Sequence, residues 1–319
     1  MININTEPAK LITFNRDGLI EQEHFGYIVR AGKDRIIEKI GDDKNYPFYL
    51  RSCAKPLQAA LLIDYGLDEK FDMSEEEIAI CAASHAGEQI HVDIVKELLS
   101  KFDIPVSRLR CGNHEPISKT AHDKLLLNGE QATVLHNNCS GKHAMMLGLC
   151  KLNDWDMEKY DNIHHPLQQA IKKKIYELCE VKTEFPVTKD GCGVPIHSMP
   201  LGNIVKGYLN LFCNPKYQKI KNAFLNHAYI IGGEDRTDTK IISDSNKTLI
   251  AKVGASGLCV VVNPEIEEGF VVKISDSNSQ AREIVTVDLI NNLHWADIKI
   301  GHDIKTYHNE KIGDIITWL

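Results

Sequence analysis

The order of two periodicities along this chain limits its fold more than any other feature. Runs rich in β-formers occupy residues 10–50 and 247–275, and helical periodicity fills the stretch between them. At the N-terminal end, LITFNRDGLI contains an Asp17-Gly18 turn signal. FGYIVRAGKDRIIEKIGDD then holds two β-rich runs split at Ala31-Gly32-Lys33-Asp34. At the other end, KTLIAKV, GLCVVVN and EGFVVKIS read as three strands, and SQAREIVTVDLINNLHWA reads as a closing helix. In the middle, SEEEIAICAASHAG opens with Ser74 and Glu77 in capping-box spacing. EQIHVDIVKELLSKF, HPLQQAIKKKIYELCE and PKYQKIKNAFLNHAY carry helical periodicity. The predicted fold is α/β in the α+β sense. A mixed, mainly antiparallel sheet comes from residues 1–66 and 246–319, covered by helices at 52–66 and 279–296, with a helical lobe inserted over 67–245. The two lobes form one folding unit over 1–319.

Composition excludes several classes of function. With 43% hydrophobic and 25% charged residues, the 319-residue chain reads as a soluble globular protein. A net charge of −7 offers no basic footprint for nucleic acid. No apolar run reaches the length of a membrane span, and MININTEPAK lacks the charged-then-apolar order of a signal peptide. The nine cysteines are scattered, odd in number and without a CxxC pair, which points to a reducing, cytoplasmic setting.

RSCAKP, residues 51–56, stands at the head of LQAALLIDYG, which reads as a helix apolar nearly all round and hence buried. Pro56 is tolerated only in a first helical turn, so Ser52 and Lys55 fall at i and i+3 on one face. One reading is a serine nucleophile beside a lysine base. The lysine must then be neutral, and burial, a second cation and the helix N-terminus all push that way from its ordinary value of about 10.4. The plain alternative is an N-cap serine with a lysine snorkelling to solvent. Lys252-Val253-Gly254, in AKVGASG, resembles the strand-borne K-T/S-G that accompanies SxxK in serine β-lactamases and penicillin-binding proteins, with valine in the middle place. Their SDN element is missing from CAASHAGEQIH, where Ser84 and His85 end an apolar helix. HNNCSGKHAMM and TKDGCGVPIHSMP place Cys139 and Cys192 in polar, glycine-containing loops, where reactive or ligating thiols occur, whereas Cys81, Cys150, Cys179, Cys213 and Cys259 sit among apolar neighbours. Ser140-Gly141-Lys142 is not a phosphate loop, because His136 and His143 stand where glycine and serine or threonine are needed. Zinc would accept two thiolates and a nitrogen, but spacing alone does not separate that from a buried structural turn.

Taken in order, RSCAKPLQ, CAASHAGE, RCGNHEP, NNCSGKHAMM, DGCGVP and KVGASG resemble the bacterial asparaginase family typified by the rhizobial inducible enzyme. The resemblance covers about residues 10–290. It implies a fold similar to serine β-lactamases and glutaminases, and hydrolysis of L-asparagine to L-aspartate and ammonia. It further implies Ser52 and Lys55 as a first Ser–Lys pair, and Ser84 and Lys252 as the second serine and lysine. Cys139, Lys142 and Cys192 match the family's zinc ligands. Arg51 and Asp190 match residues flanking the substrate, and His85 and His143 are expected beside it. EDRTDT, residues 234–239, departs from relatives that carry cysteine there. The expected partner is a small molecule, with no nucleic acid or membrane, and the expected oligomer is a two-fold homodimer. The rival readings are a glutaminase, β-lactamase or peptidase of the same fold, and a zinc-binding protein without turnover.

Overall fold

The structure is a computed structural model that describes residues 6–319. Its strands are β1 (Ala9–Arg16), β2 (Leu19–Gly32), β3 (Ile36–Ile40), β4 (Phe48–Tyr49), β5 (Val187–Lys189), β6 (Pro195–Met199), β7 (Ile250–Gly254), β8 (Leu258–Asn263), β9 (Glu268–Ile274), β10 (Asp303–Lys305) and β11 (Lys311–Thr317). Eight of them make one sheet in the order β10-β11-β1-β2-β9-β8-β7, with β3 added to β2. Every pairing is antiparallel. The sheet is therefore drawn from the two ends of the chain, as expected, but it is not mixed. β2 is long enough to pair with β1 along its first half and with β3 along its second. Strands β7 and β8 are buried at every position, which is why LCVVVN reads as a continuous apolar run.

The helices are α1 (Lys55–Asp64), α2 (Leu67–Lys70), α3 (Glu75–Ala82), α4 (Gln89–Lys101), α5 (Lys119–Leu127), α6 (Ser140–Leu152), α7 (Pro166–Leu178), α8 (Leu201–Phe212), α9 (Gln218–Asn226), α10 (Ala228–Ile231), α11 (Thr237–Asp244) and α12 (Ser279–Asn292). The Ser74–Glu77 capping box starts α3 as anticipated. α12 packs on the sheet, but α1 does not cover it: α1 is wedged among α3, α6, α7 and α8, and α8 packs on β2, β8 and β9. That surrounding of helices is what an all-round apolar helix requires.

Three further differences from the sequence expectation bear on the site. HNNCSGKHAMM is a loop only as far as Cys139, because Ser140 opens α6, a helix buried from Ser140 to Cys150. PKYQKIKNAFLNHAY is broken at His227, whose backbone leaves the helical region, so α9 and α10 are separate. A small second sheet, β4-β6-β5, joins the segment before Arg51 to the hairpin that carries Asp190 and Cys192. Between Cys111 and Asn137 the chain makes an outward excursion whose helix, α5, has no buried residue.

Candidate functional site

Arg51–Ala54 form a 3₁₀ turn that feeds directly into α1, with Pro56 in the first turn where its missing N–H costs nothing. Two contacts fix this turn. The Leu50 amide donates to the His197 carbonyl on β6 at 3.0 Å, and the Cys53 thiol donates to the Lys252 carbonyl on β7 at 3.3 Å. Gly254 makes the second approach possible, since a Cβ there would lie 2.9 Å from Cys53 Sγ and 3.2 Å from the Leu50 carbonyl. The glycine of Lys252-Val253-Gly254 is thus a close-packing residue that brings β7 against the Ser52 turn.

Lys55 is buried, and its Nζ meets Ala83 O at 2.7 Å, Asn138 O at 2.8 Å and Ser84 Oγ at 3.0 Å. Burial, opposed by the Cys139 sulfur and aided by the charges of Lys142 and Lys252, lowers this amine to about 8. Ser84 follows the end of α3, and its amide donates to the Ile231 carbonyl at 3.0 Å. Lys252 is also fully buried, and its Nζ donates to Asp238 Oδ2 at 2.9 Å and Val253 O at 3.0 Å. Burial alone would raise the Asp238 carboxyl, but Lys252 and Arg236 hold it below its ordinary range.

α6 starts where it does because Gly141 abuts α3: a Cβ there would lie 2.2 Å from the Ile80 carbonyl. That crossing brings Lys142, in the first turn of α6, to 3.0 Å from Cys192 Sγ in the β5–β6 hairpin, beside Cys139 at the N-cap. The Cys139 thiol and the Lys142 ammonium hold the Cys192 sulfur down to about 4, whereas the neighbouring sulfur and burial push Cys139 up to about 12. Burial pushes the Lys142 amine down, but the two sulfurs outweigh it and the amine stays above its ordinary value.

A cavity of about 350 Å³ opens over these groups. Ser52, Arg51, Cys139, Asp190 and Cys192 line it, and Arg51 Nε donates to Asp190 Oδ1 at 2.8 Å. Burial opposes ionisation of Asp190, but Lys142 and Arg51 keep it below the usual carboxylate range. Arg51 has φ +48°, a left-handed conformation that a non-glycine residue adopts at a cost. Its Nη1 also donates to Ser256 Oγ at 3.1 Å. Lys55, Ser84 and Lys252 sit behind the lining. His85 and His143 do not line the cavity. His85 donates through Nε2 to Ser140 Oγ at 2.9 Å and accepts from the Gly87 amide. His143 accepts from Tyr160 Oη at 2.7 Å.

Residues 111–114 and Asn137–Asn138 also line the cavity; they lie in the RCGNHEP and HNNCSGKHAMM blocks, which gave them no individual role. The signal was faint: Cys111-Gly112-Asn113-His114 is a polar, glycine-bearing stretch like the Cys139 and Cys192 segments. Asn138 accepts from the Cys139 thiol at 3.2 Å, and the Asn138 amide donates to His114 Nε2 at 2.9 Å.

A family model described as L-asparaginase II matches residues 12–315. The chain belongs to the L-asparaginase II family. This L-asparaginase II family member is therefore an amidohydrolase acting on a small molecule. No curated protein matches it. Among solved structures it is similar to a β-lactamase from Mycobacterium bovis, at 11% identity and a TM-score of 0.44 over 85% of this chain and 95% of the other. It is also similar to a putative β-lactamase from Bacteroides dorei, at 11% identity and a TM-score of 0.42 over 83% and 93%. No helix among the described residues of this family member is long and apolar enough to cross a membrane.

The donor set suits zinc. Two buried sulfurs and one amine converge, which is a soft S/S/N set with room for a fourth ligand from the cavity. Among the described residues no three His, Cys, Asp or Glu side chains form a metal-holding group, so zinc in this asparaginase-family site needs Lys142 as its third donor.

Proposed function

We propose that this amidohydrolase cleaves the side-chain amide of L-asparagine, giving L-aspartate and ammonia. The observation that carries the proposal is the buried Lys55 amine, lowered to about 8 and hydrogen-bonded to Ser84, immediately behind the cavity that Ser52 lines. Ser52 is the hydroxyl with access to a substrate. Its oxygen attacks the amide carbon, and neutral Lys55 takes its proton. The carbon–nitrogen bond breaks as Ser84, bonded to Lys55, passes that proton to the departing nitrogen, and ammonia leaves. Water then attacks the ester, aspartate is released and Ser52 regains its proton. Backbone N–H groups at the head of the 51–54 turn are the natural donors to the oxyanion, each typically worth ~3 kcal/mol. Arg51 and Asp190 provide one cation and one anion for the substrate's α-carboxylate and α-ammonium. His85 and His143 take supporting roles behind the lining, because each is buried and bonded away from the cavity.

Cys139, Cys192 and Lys142 would hold zinc. Bound there, zinc supplies a positive charge and Lewis acidity beside the substrate and ties α6 to the β5–β6 hairpin. A two-fold homodimer in a reducing cytoplasm completes the proposal, supported by nine unpaired cysteines for the compartment and by symmetry preference for the oligomer.

The Lys55–Ser84 hydrogen bond favours a second reading, in which Ser84 attacks and Ser52 relays. The test of function is ammonia and aspartate release from L-asparagine, with L-glutamine and a chromogenic β-lactam assayed in parallel. Turnover of asparagine is expected. Inactivity on asparagine with turnover of either other substrate would replace the proposed activity.

A further inference from the structure

Lys55 and Lys252 are both buried amines of one site, yet they are held by different chemistry. Lys55 meets two backbone carbonyls and a hydroxyl, all neutral. Lys252 meets the carboxylate of Asp238. In a dry environment an amine with neutral partners gives up its proton readily, whereas one paired with an anion keeps it.

Asp238 stands in the first turn of α11, its side chain fully buried. The chain that delivers it is braced against the Ser84 loop. Ile231 accepts from the Ser84 amide, and the Gly233 and Glu234 segment packs on Glu88, where a Cβ at Gly233 would lie 2.5 Å from Glu88 Oε1. Thr239 closes the loop, accepting from the Gly233 amide and donating to the Ala228 carbonyl. Five other ionisable groups face the pair: Arg236 on the approach to α11, Cys53 in the 51–54 turn, Lys55 on α1, Cys259 on β8 and Arg282 on α12. Burial pushes both thiols up to about 12, so of these groups Asp238 is the one anion near neutral pH. A buried ion pair is weak evidence for stability, since apolar replacements often serve as well. Its presence on the strand that packs against the Ser52 turn calls for another reason.

We infer that Asp238 is a positioning residue: by binding Lys252 it keeps that amine a fixed cation and leaves Lys55 as the buried amine free to give up its proton. The inference rests on the Ser–Lys hydrolysis proposed above. It divides the labour between the lysines, with Lys55 moving protons and Lys252 supplying constant charge behind the site.

Asp238→Asn keeps the shape and removes the charge. It is expected to lower kcat by about 100-fold with KM changed by less than about 3-fold. In ¹⁵N-lysine NMR of the full chain at neutral pH, an exchange-protected Lys252 ammonium signal is expected in the wild type and its broadening or loss in this variant. An unchanged kcat and signal would overturn the inference. In a Lys252→Met background, Asp238→Asn should add less than about 3-fold, because one member of a coupled pair is already gone. A full further loss there would show Asp238 acting elsewhere and would also overturn it. If Asp238→Asn does not fold, Asp238→Leu with Lys252→Met removes both charges and should match Lys252→Met alone in kcat. A tenfold or greater difference between those two is the overturning result. The NMR comparison needs no substrate, so a wild type inactive on asparagine would remove the proposed activity while the comparison still decides the role of Asp238.

Discussion

The Lys55 amine stands 3.0 Å from the Ser84 hydroxyl while two carbonyls, from Ala83 and Asn138, lie within 2.8 Å of it. In its neutral form it gives its two hydrogens to the carbonyls, which leaves its lone pair to take a serine proton. The active form is therefore the deprotonated one. kcat/KM on asparagine is expected to rise with pH through about 8 and to fall about tenfold for each pH step below that. Lys55→Arg, which cannot deprotonate, should lower kcat by roughly 10³-fold or more. A rate profile from pH 6 to 10 checks both.

Ser52 faces the cavity and Ser84 faces Lys55, so the two hydroxyls should fail differently when removed. Ser52→Ala is expected to cut kcat by roughly 10⁴-fold with the fold intact. Mass spectrometry of the quenched reaction should find the acyl adduct on Ser52 and none in Ser52→Ala. An adduct on Ser84 would transfer the nucleophile to that residue.

Asp190 is held ionised by Lys142 and Arg51 at the edge of the cavity. Asp190→Asn should raise KM for asparagine by about 10–100-fold and change kcat less, because it removes a charge that binds the substrate in ground and transition states alike. Steady-state kinetics separate the two constants.

Cys139→Ala and Cys192→Ala should each lower bound zinc, measured by elemental analysis of the purified protein. Circular dichroism should show the fold retained, since both sulfurs lie at the cavity rather than deep in the apolar core. Unchanged zinc stoichiometry in both variants would exclude this site as the metal centre.

Several histidines are buried in the neutral form. Burial lowers His197 to about 4 and holds His85 and His91 below their ordinary value. These groups take up protons on unfolding once pH drops below about 6.5, and the folded state does not match that uptake until lower pH. Stability is thus complete above 6.5 and falls as pH drops toward 4, with His197 alone contributing roughly 3 kcal/mol of the loss. Denaturant midpoints across pH 4.5–7.5 should decline on the acid side.

The sheet was legible from β1 to β3 and from β7 to β9, where apolar runs are punctuated by turn residues and β7 and β8 are buried on both faces; β10 and β11, largely exposed or half-buried, carry no such run. α6 was not, because its first turn is built from serine, glycine, lysine and histidine, the composition of a loop; Gly141 lets that turn pack as a helix directly against α3. The Ser52–Lys55 spacing could be read directly, since i and i+3 share a helix face. The Lys55–Ser84 contact could not, since it joins α1 to the end of α3. Asp238 was visible only as a departure in EDRTDT, and its pairing with Lys252 depends on α11 crossing β7. RCGNHEP stood out as a block, but no role for residues 111–114 could be read from it, because a polar, glycine-bearing stretch looks alike whether it faces solvent or substrate.

The excursion between Cys111 and Asn137 sends α5 out with Leu126 and Leu127 in water, yet both of its feet stand in the cavity wall. A nick at its tip should therefore leave the melting transition nearly untouched and register first as altered turnover. The same property makes this arm a natural place to graft a label or a fused peptide when occupancy of the site is to be followed from outside.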